Sequence, residues 1–340
     1  MSKDRVRLAL TVGDPGGIGP EITASLFARR ALVGADLFVI GAYEVLSNWL
    51  APAACSAARV IPHAEAASVA LPDSFPVFID TGVDAKYPRG RATAEGGRAS
   101  GLAIEAAAVL AKRGLVEGIV TGPVSKAALA MAGFAEKSHT SMLARLFDAP
   151  DCQMMMVSGA LRIVILTKDI PLRDVPEAVT ADAIAAGVRV TAAALAEFWR
   201  VARPRIAVAA LNPHGGDGGV LGDEERRVVA PALEVLRGEG YLIEGPFSAD
   251  TLFYNWADKG YDAFVALYHD QGMIPFKLSG FERGVNVTIG LPVVRTSVCH
   301  GTAYDIVGNG SASTGSLESA FELAVECCLA RRASHRAKKT

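Results

Sequence analysis

The chain has 340 residues and a mass of 35.5 kDa, with 51% hydrophobic and 21% charged residues. That is enough apolar material for one large domain or two smaller ones, and it excludes a disordered chain. A formal charge of −2 removes the electrostatic reason to expect a nucleic acid or an anionic membrane as partner.

Residues 1–5 carry no apolar stretch of signal-peptide type, and no apolar run reaches the length of a membrane span, so a cytoplasmic location is expected. A first strand is predicted over 6–12. It runs into Gly13-Asp14-Pro15-Gly16-Gly17-Ile18-Gly19-Pro20-Glu21, a glycine-rich turn feeding a helix over 20–29. Its amides either bind an anion at a helix N-terminus or form only a tight turn, and spacing leaves both open. It is not a Walker loop, and G-x-G-x-x-G occurs nowhere in the chain. Strands over 36–40 and 77–80 flank an Ala-rich stretch at 51–70, followed by a helix over 94–112. A strand over 118–121 leads through Gly122-Pro123 to helices over 126–132 and 139–147. The second of these opens with His139-Thr140, where a helix N-terminus and a hydroxyl suit an anionic group.

Strands over 153–157 and 162–166, a helix over 181–199 and a strand over 205–211 come next. The last ends in Asn212-Pro213-His214-Gly215-Gly216 and is followed by a helix over 223–237, whose acidic first turn complements the helix dipole. A strand over 263–268 ends in the loop His269-Asp270-Gln271-Gly272. Strands over 286–289 and 294–297 precede the polar loop 300–310, and a helix over 316–330 follows. The basic residues from Arg331 to Lys339 read as a solvated helix end.

Short apolar runs alternating with helical patterns mark an α/β sheet, with many polar motifs just after strands, where α/β proteins assemble binding sites. His214 and His269 are metal candidates, because both follow strand ends and imidazole suits divalent ions. Lys277, Asn286 and Arg295 recur at nine-residue intervals and offer a point charge, a neutral donor and a planar fork to an anionic substrate. In His300-Gly301-Thr302-Ala303-Tyr304-Asp305-Ile306-Val307-Gly308-Asn309-Gly310, a histidine-glycine turn lets backbone approach a nucleotide. The five cysteines form no C-x-x-C pair, so a reduced setting fits, and nothing marks Cys299 as a nucleophile.

The chain resembles the 4-hydroxythreonine-4-phosphate dehydrogenase family of vitamin B6 biosynthesis over essentially its whole length. Matching pieces are 13–21, Thr121-Gly122-Pro123-Val124-Ser125-Lys126, His139-Thr140, Pro171-Leu172-Arg173-Asp174, 211–216, Gly245-Pro246 with Ala249-Asp250-Thr251, 268–272, Gly284-Val285-Asn286 and Leu291-Pro292 with Arg295-Thr296-Ser297. The 300–310 loop is similar to the adenosine-binding loop of the isocitrate and isopropylmalate dehydrogenases, which accounts for the missing Rossmann fingerprint. The resemblance implies a two-lobed α/β/α isocitrate/isopropylmalate dehydrogenase-like architecture, with 1–125 and 283–340 in one lobe, 126–282 in the other and a cleft between them. It also implies a homodimer, a small phosphorylated substrate, NAD or NADP, and a divalent metal such as Mg²⁺, Mn²⁺, Zn²⁺ or Co²⁺.

The expected reaction is oxidation of a secondary alcohol, then loss of CO₂ from the resulting β-keto acid. By this resemblance His139, Thr140, Lys277, Asn286 and Arg295 contact substrate. His300, Gly301, Thr302, Ala303, Asp305 and Asn309 bind the cofactor, and His214 and His269 bind the metal. Asp250, Asp270 and, less directly, Lys126 are acid–base candidates. The family's third metal ligand is usually a histidine where this chain has Asp169. Ligation by Asp169 shifts preference from zinc toward Mg²⁺ or Mn²⁺, and Lys168 beside it is the opposing influence. Ser141 and Cys299 also stand where the family commonly has carboxylates. That opens sugar-acid 4-phosphates (erythronate, threonate) as alternative substrates and, less readily, a cis-dihydrodiol dicarboxylate. Competing classes are a phosphate-ligand acyltransferase of phosphotransacetylase type and a non-catalytic relative that has lost its metal.

Overall fold

A computed structural model describes residues 5–29, 32–56, 58–136 and 138–337; Lys338 and Lys339 of the basic tail lie outside them. In chain order the strands are β1 (Val6–Thr11), β2 (Ala35–Gly41), β3 (Arg59–Pro62), β4 (Val77–Asp80), β5 (Gly118–Thr121), β6 (Gln153–Ser158), β7 (Leu161–Thr167), β8 (Arg205–Ala209), β9 (Leu242–Phe247), β10 (Ala263–Tyr268), β11 (Val285–Ile289) and β12 (Val294–Val298). The helices that matter below are α1 (Gly19–Ala28), α2 (Ala94–Lys112), α3 (Lys126–Met131), α4 (His139–Phe147), α5 (Ala181–Phe198), α6 (Ala230–Gly238), α7 (His269–Gly280) and α8 (Gly315–Ala337).

The chain divides into two compact units, Met1–Pro150 with Leu291–Leu329 and Asp151–Gly290 with Ala330–Thr340. The division falls later than the 125/126 and 282/283 positions implied by the resemblance. The physical reason is that α3 and α4 pack on α2, and β11 pairs with β6.

In the first unit the strand order is β3-β4-β2-β1-β5-β12, every pair parallel. Its central strands are buried almost throughout, as apolar β1 (VRLALT) and β5 (GIVT) require when both faces are covered. All these strands point the same way, so the loops after β1, β5 and β12 gather at one edge. The Thr93 hydroxyl caps α2 by accepting from Gly96 N at 3.0 Å, with Glu95 in the first turn and Lys112 in the last. At the start of α4, Ser138 and Ser141 form a reciprocal capping box. Ser141 therefore fills a structural role where the family commonly has a glutamate.

In the second unit the order is β11-β6-β7-β10-β8-β9, with β6 antiparallel to both neighbours and the remaining pairs parallel. Helix α5 is capped by Thr180, whose hydroxyl accepts from Ala183 N. Arg331 pairs with Glu197 at 2.9 Å, so part of the basic tail is bound rather than solvated.

Two strands escaped the sequence. Both are edge strands: β3 is largely exposed and ends in a proline, and β9 contains Gly245-Pro246, which an edge tolerates and a central strand does not. The helix expected over 223–237 begins as a π-helical turn, Glu225–Val229, before α6. Among the described residues no single helix is long and apolar enough to cross a membrane.

Candidate functional site

Four amides of the glycine-rich turn after β1 are already engaged within the protein. Asp14 N donates to Pro123 O at 2.9 Å, Gly16 N to Asp14 Oδ1 at 2.9 Å, Gly17 N to Asp14 O at 3.1 Å and Ile18 N to Thr302 O at 3.0 Å. Its glycines serve close packing. A Cβ on Gly17 would come within 2.6 Å of Thr302 O, and one on Gly13 within 2.3 Å of Pro123 O. Of the two sequence readings, the tight turn is the one the hydrogen bonds support.

That turn encloses a polar cluster that the sequence did not single out. Asp14 is fully buried and accepts from Gly16 N with one oxygen and from the Tyr304 hydroxyl with the other, the latter at 2.8 Å. Burial pushes the Asp14 carboxyl up, while the bonds from Tyr304 and Gly16 pull it down. Burial also raises the Tyr304 phenol, which the Ser125 and Thr302 hydroxyls adjoin. Tyr87, bonded to Thr93, lies at the same place and is raised mainly by burial.

Arg295, on β12, is among the largest fully buried side chains in the protein. Its Nη2 donates to Thr121 Oγ1 at 2.7 Å, and its Nη1 stands 3.5 Å from Thr140 Oγ1. β5 supplies Thr121 and the first turn of α4 supplies His139 and Thr140, so three expected substrate contacts meet around one guanidinium. Burial, together with the positive charges of Arg295 and Lys126, holds the His139 imidazole well below its ordinary value. Lys126 itself is exposed at the start of α3.

In the 300–310 loop, His300 Nδ1 bonds Gly301 O at 2.9 Å, and Nε2 is buried without a hydrogen-bond partner among the described residues. Burial lowers the His300 imidazole, so it stays neutral. Thr302 is buried, whereas Gly301, Asp305 and Asn309 are exposed. An orphaned acceptor beside exposed polar groups and small residues fits a nucleotide's hydrogen-bonding edges.

In the second unit, Asp169, Ile170, Leu172, Thr167, Val175, Tyr268, His269 and Asp270 line a hollow of about 330 Å³. His269 and Asp270 are not in a loop as expected: they form the first turn of α7, whose Gly272 and Pro275 disguised it as irregular chain. Asp270 Oδ1 lies 2.7 Å from His269 Nδ1, which turns Nε2 outward as in metal-binding histidines held by a carboxylate. Lys168 does not point a bare charge at Asp169. Its ammonium donates to Cys152 O at 3.1 Å, and burial lowers it.

His214 is not among the residues lining that hollow, and among the described residues no three His, Cys, Asp or Glu side chains gather as a metal-binding group. It opens a run in which His214, Gly215, Gly216, Asp217 and Gly218 all have positive φ, from 44° to 80°. Glu225 anchors the start of this run, accepting from Leu211 N at 2.8 Å and Asn212 N at 2.7 Å. Burial raises Glu225, but these bonds outweigh it and leave the carboxyl lowered. Asp250 accepts from the Ser248 hydroxyl at 2.6 Å; that bond first, and the charge of His214 second, lower it. Lys277 is exposed on α7 with its ammonium over the Phe281 ring at 5.4 Å, and Asn286 on β11 has a buried Oδ1 with no hydrogen-bond partner among the described residues.

The profile of the family described as pyridoxal phosphate biosynthetic protein PdxA matches residues 34–324. A 4-hydroxythreonine-4-phosphate dehydrogenase of Desulfosudis oleivorans is 40% identical over 337 residues, covering 96% of this chain and 98% of that protein. Among solved structures, the 4-hydroxythreonine-4-phosphate dehydrogenase of Klebsiella pneumoniae superposes with a TM-score of 0.81 at 36% identity, covering 96% of this chain and 99% of that one. A terephthalate 1,2-cis-dihydrodiol dehydrogenase of Burkholderia xenovorans has a TM-score of 0.64 at 28% identity, with 95% and 98% covered.

Proposed function

The chain belongs to the PdxA family of pyridoxal phosphate biosynthetic proteins, and from that membership we infer that it oxidises and decarboxylates 4-phosphohydroxy-L-threonine to 3-amino-2-oxopropyl phosphate. The observation that carries this reading is the match of nearly the whole chain to dehydrogenases of that name, in sequence and in structure. The same match sets aside the acyltransferase class. NAD or NADP is the cofactor, and it supplies the hydride acceptor when bound. By this reading Asp169 and His269 of the hollow, with His214, would hold a divalent ion, which would supply Lewis-acid polarisation of a substrate oxygen. The protein acts in the cytoplasm as a homodimer.

The residues divide the work by charge. Arg295 supplies a permanently positive, immobilised fork for an anionic end of the substrate, and Thr121 sets its orientation. His139 stays neutral beside it and adds a directional hydrogen bond without more charge. Lys126 contributes to the positive potential that keeps His139 neutral. In the second unit Lys277 and Asn286 offer a second charge and an unsatisfied amide oxygen. The Ser248 bond lowers Asp250, which leaves it an ionised but weaker base, and it remains the candidate to take the substrate hydroxyl proton, directly or through one water. Asp270 is committed to His269 and orients that imidazole rather than acting as the base.

The deciding experiment follows NADH formation from 4-phosphohydroxy-L-threonine by chelated protein, with Mg²⁺, Mn²⁺, Zn²⁺ or Co²⁺ returned singly. Metal-dependent turnover is expected. Turnover of erythronate or threonate 4-phosphate in its place would move the assignment to a sugar-acid phosphate.

A further inference from the structure

The conformation of the 300–310 loop is not one its residues prefer. Ala303 sits at φ 45°, in the left-handed region that a non-glycine residue enters at a cost and keeps only when its surroundings impose it. The residues on either side of Ala303 are the ones tied down. Thr302 O accepts from Ile18 N at 3.0 Å, and the Tyr304 hydroxyl donates to Asp14 Oδ2 at 2.8 Å. Further along, Gly308 N donates to Glu21 Oε2 at 3.0 Å. All three partners lie on the segment after β1, which is itself fixed by Asp14 N to Pro123 O. A buried carboxylate is costly unless each oxygen is satisfied, and Asp14 uses one on its own turn and one on the loop.

We propose that the Asp14–Tyr304 hydrogen bond is a latch that holds the 300–310 loop in its dinucleotide-accepting form, making both side chains positioning residues for the cofactor. This rests on the reading of that loop as the NAD or NADP site. Neither side chain then needs to touch the reacting atoms. Releasing the latch lets Ala303 relax toward negative φ, which moves Asp305 and displaces the His300–Gly301 turn relative to it. The cofactor then has to re-form the strained loop on binding, and its affinity falls by the population of the competent form.

The test is Tyr304→Phe, which keeps the ring and removes the hydroxyl, beside Asp14→Asn, which spares the contacts of that hydroxyl with Ser125 and Thr302. The asparagine's oxygen still accepts from Gly16 N, while its amide can donate to the tyrosine oxygen. Binding of NAD and NADP to each folded protein is measured by calorimetry, and steady-state kinetics are run with substrate and metal saturating. The latch requires Tyr304→Phe to weaken cofactor binding, and raise its KM, on the order of tenfold. It also requires kcat at saturating cofactor and KM for substrate to stay within about twofold, and Asp14→Asn to lie closer to wild type than Tyr304→Phe does. Amide exchange at 301–306 should quicken in Tyr304→Phe without cofactor. Wild-type affinity in Tyr304→Phe, from a wild type that binds cofactor, overturns the latch alone. A wild type that binds neither NAD nor NADP overturns the cofactor reading and the latch together.

Discussion

Thr121→Val isolates the buried guanidinium that β12 carries in the first unit. Valine matches threonine in shape and stays in β5, but removes the oxygen that Arg295 Nη2 meets at 2.7 Å. Thr121's backbone carbonyl still accepts from Ser297 Oγ at 3.2 Å, so the strand edge is untouched. A hydrogen bond to a charged group contributes about 1.5–3 kcal/mol, and a buried donor left unmet loses its full solvation. With Arg295 fully buried, a stability loss of about 2 kcal/mol is expected, or roughly 4–8 °C in Tm for units of this size. The guanidinium also loses its set orientation toward Thr140, so kcat/KM should fall about 10- to 30-fold at the usual 1.4 kcal/mol per decade. Thr121→Ser restores the oxygen and should recover most of both. The assays are thermal melting and steady-state kinetics on both variants. Equal Tm and equal kcat/KM for valine and serine would refute the idea that this hydroxyl holds Arg295.

His139 titrates below its ordinary value of 6.5 in the folded protein, so as pH falls below 6.5 the unfolded chain takes up the proton first. Its contribution to stability is complete above 6.5 and declines beneath it. His139→Gln should flatten that decline in urea unfolding followed from neutral to acid pH, and an unchanged slope would exclude His139 as its source. Asp270→Asn should weaken Mn²⁺ binding about 10- to 100-fold in equilibrium dialysis, because the carboxylate orients His269; undiminished binding would show that the pair has no part in holding metal. Gly17→Ala puts a methyl group 2.6 Å from Thr302 O. A cost of about 1–3 kcal/mol and weaker cofactor binding are expected in melting and calorimetry, whereas full tolerance would mean that the two loops are not packed as described.

The buried strands were legible because parallel sheets demand apolar runs, and the helices were legible where caps and acidic first turns announced them. What the sequence concealed was set by tertiary context. Strands β3 and β9 form because an edge accepts Pro62 and Pro246, and α7 forms despite Gly272 and Pro275. Among site residues, His139, Thr140 and Arg295 stand out by motif and do assemble. Asp14 and Tyr304 are 290 residues apart, and nothing local signals that one will satisfy the other. Tyr304's place beside Asp305 in a polar loop was the one available hint. Ser141 looked like a lost carboxylate until its capping role was visible. For the metal candidates, strand ends pointed to His214 and His269 and only the resemblance added Asp169; Asp169 and His269 line one hollow, whereas nothing in the sequence announced the backbone that carries His214.

That backbone gives His214 a chemical control of its own. Six successive residues, His214 to Gly219, have positive φ, and two of them, His214 and Asp217, have side chains. Asparagine, aspartate and histidine are the non-glycine residues that enter this region most readily, whereas β-branched residues are excluded from it. His214→Asn therefore deletes the imidazole while leaving the winding of the loop nearly unpenalised. His214→Val would unwind it and confound the loss of a ligand with the loss of a shape. The mirror-handed turn thus favours glycine and a few polar residues at position 214, and the polar ones each carry a lone pair that can be donated.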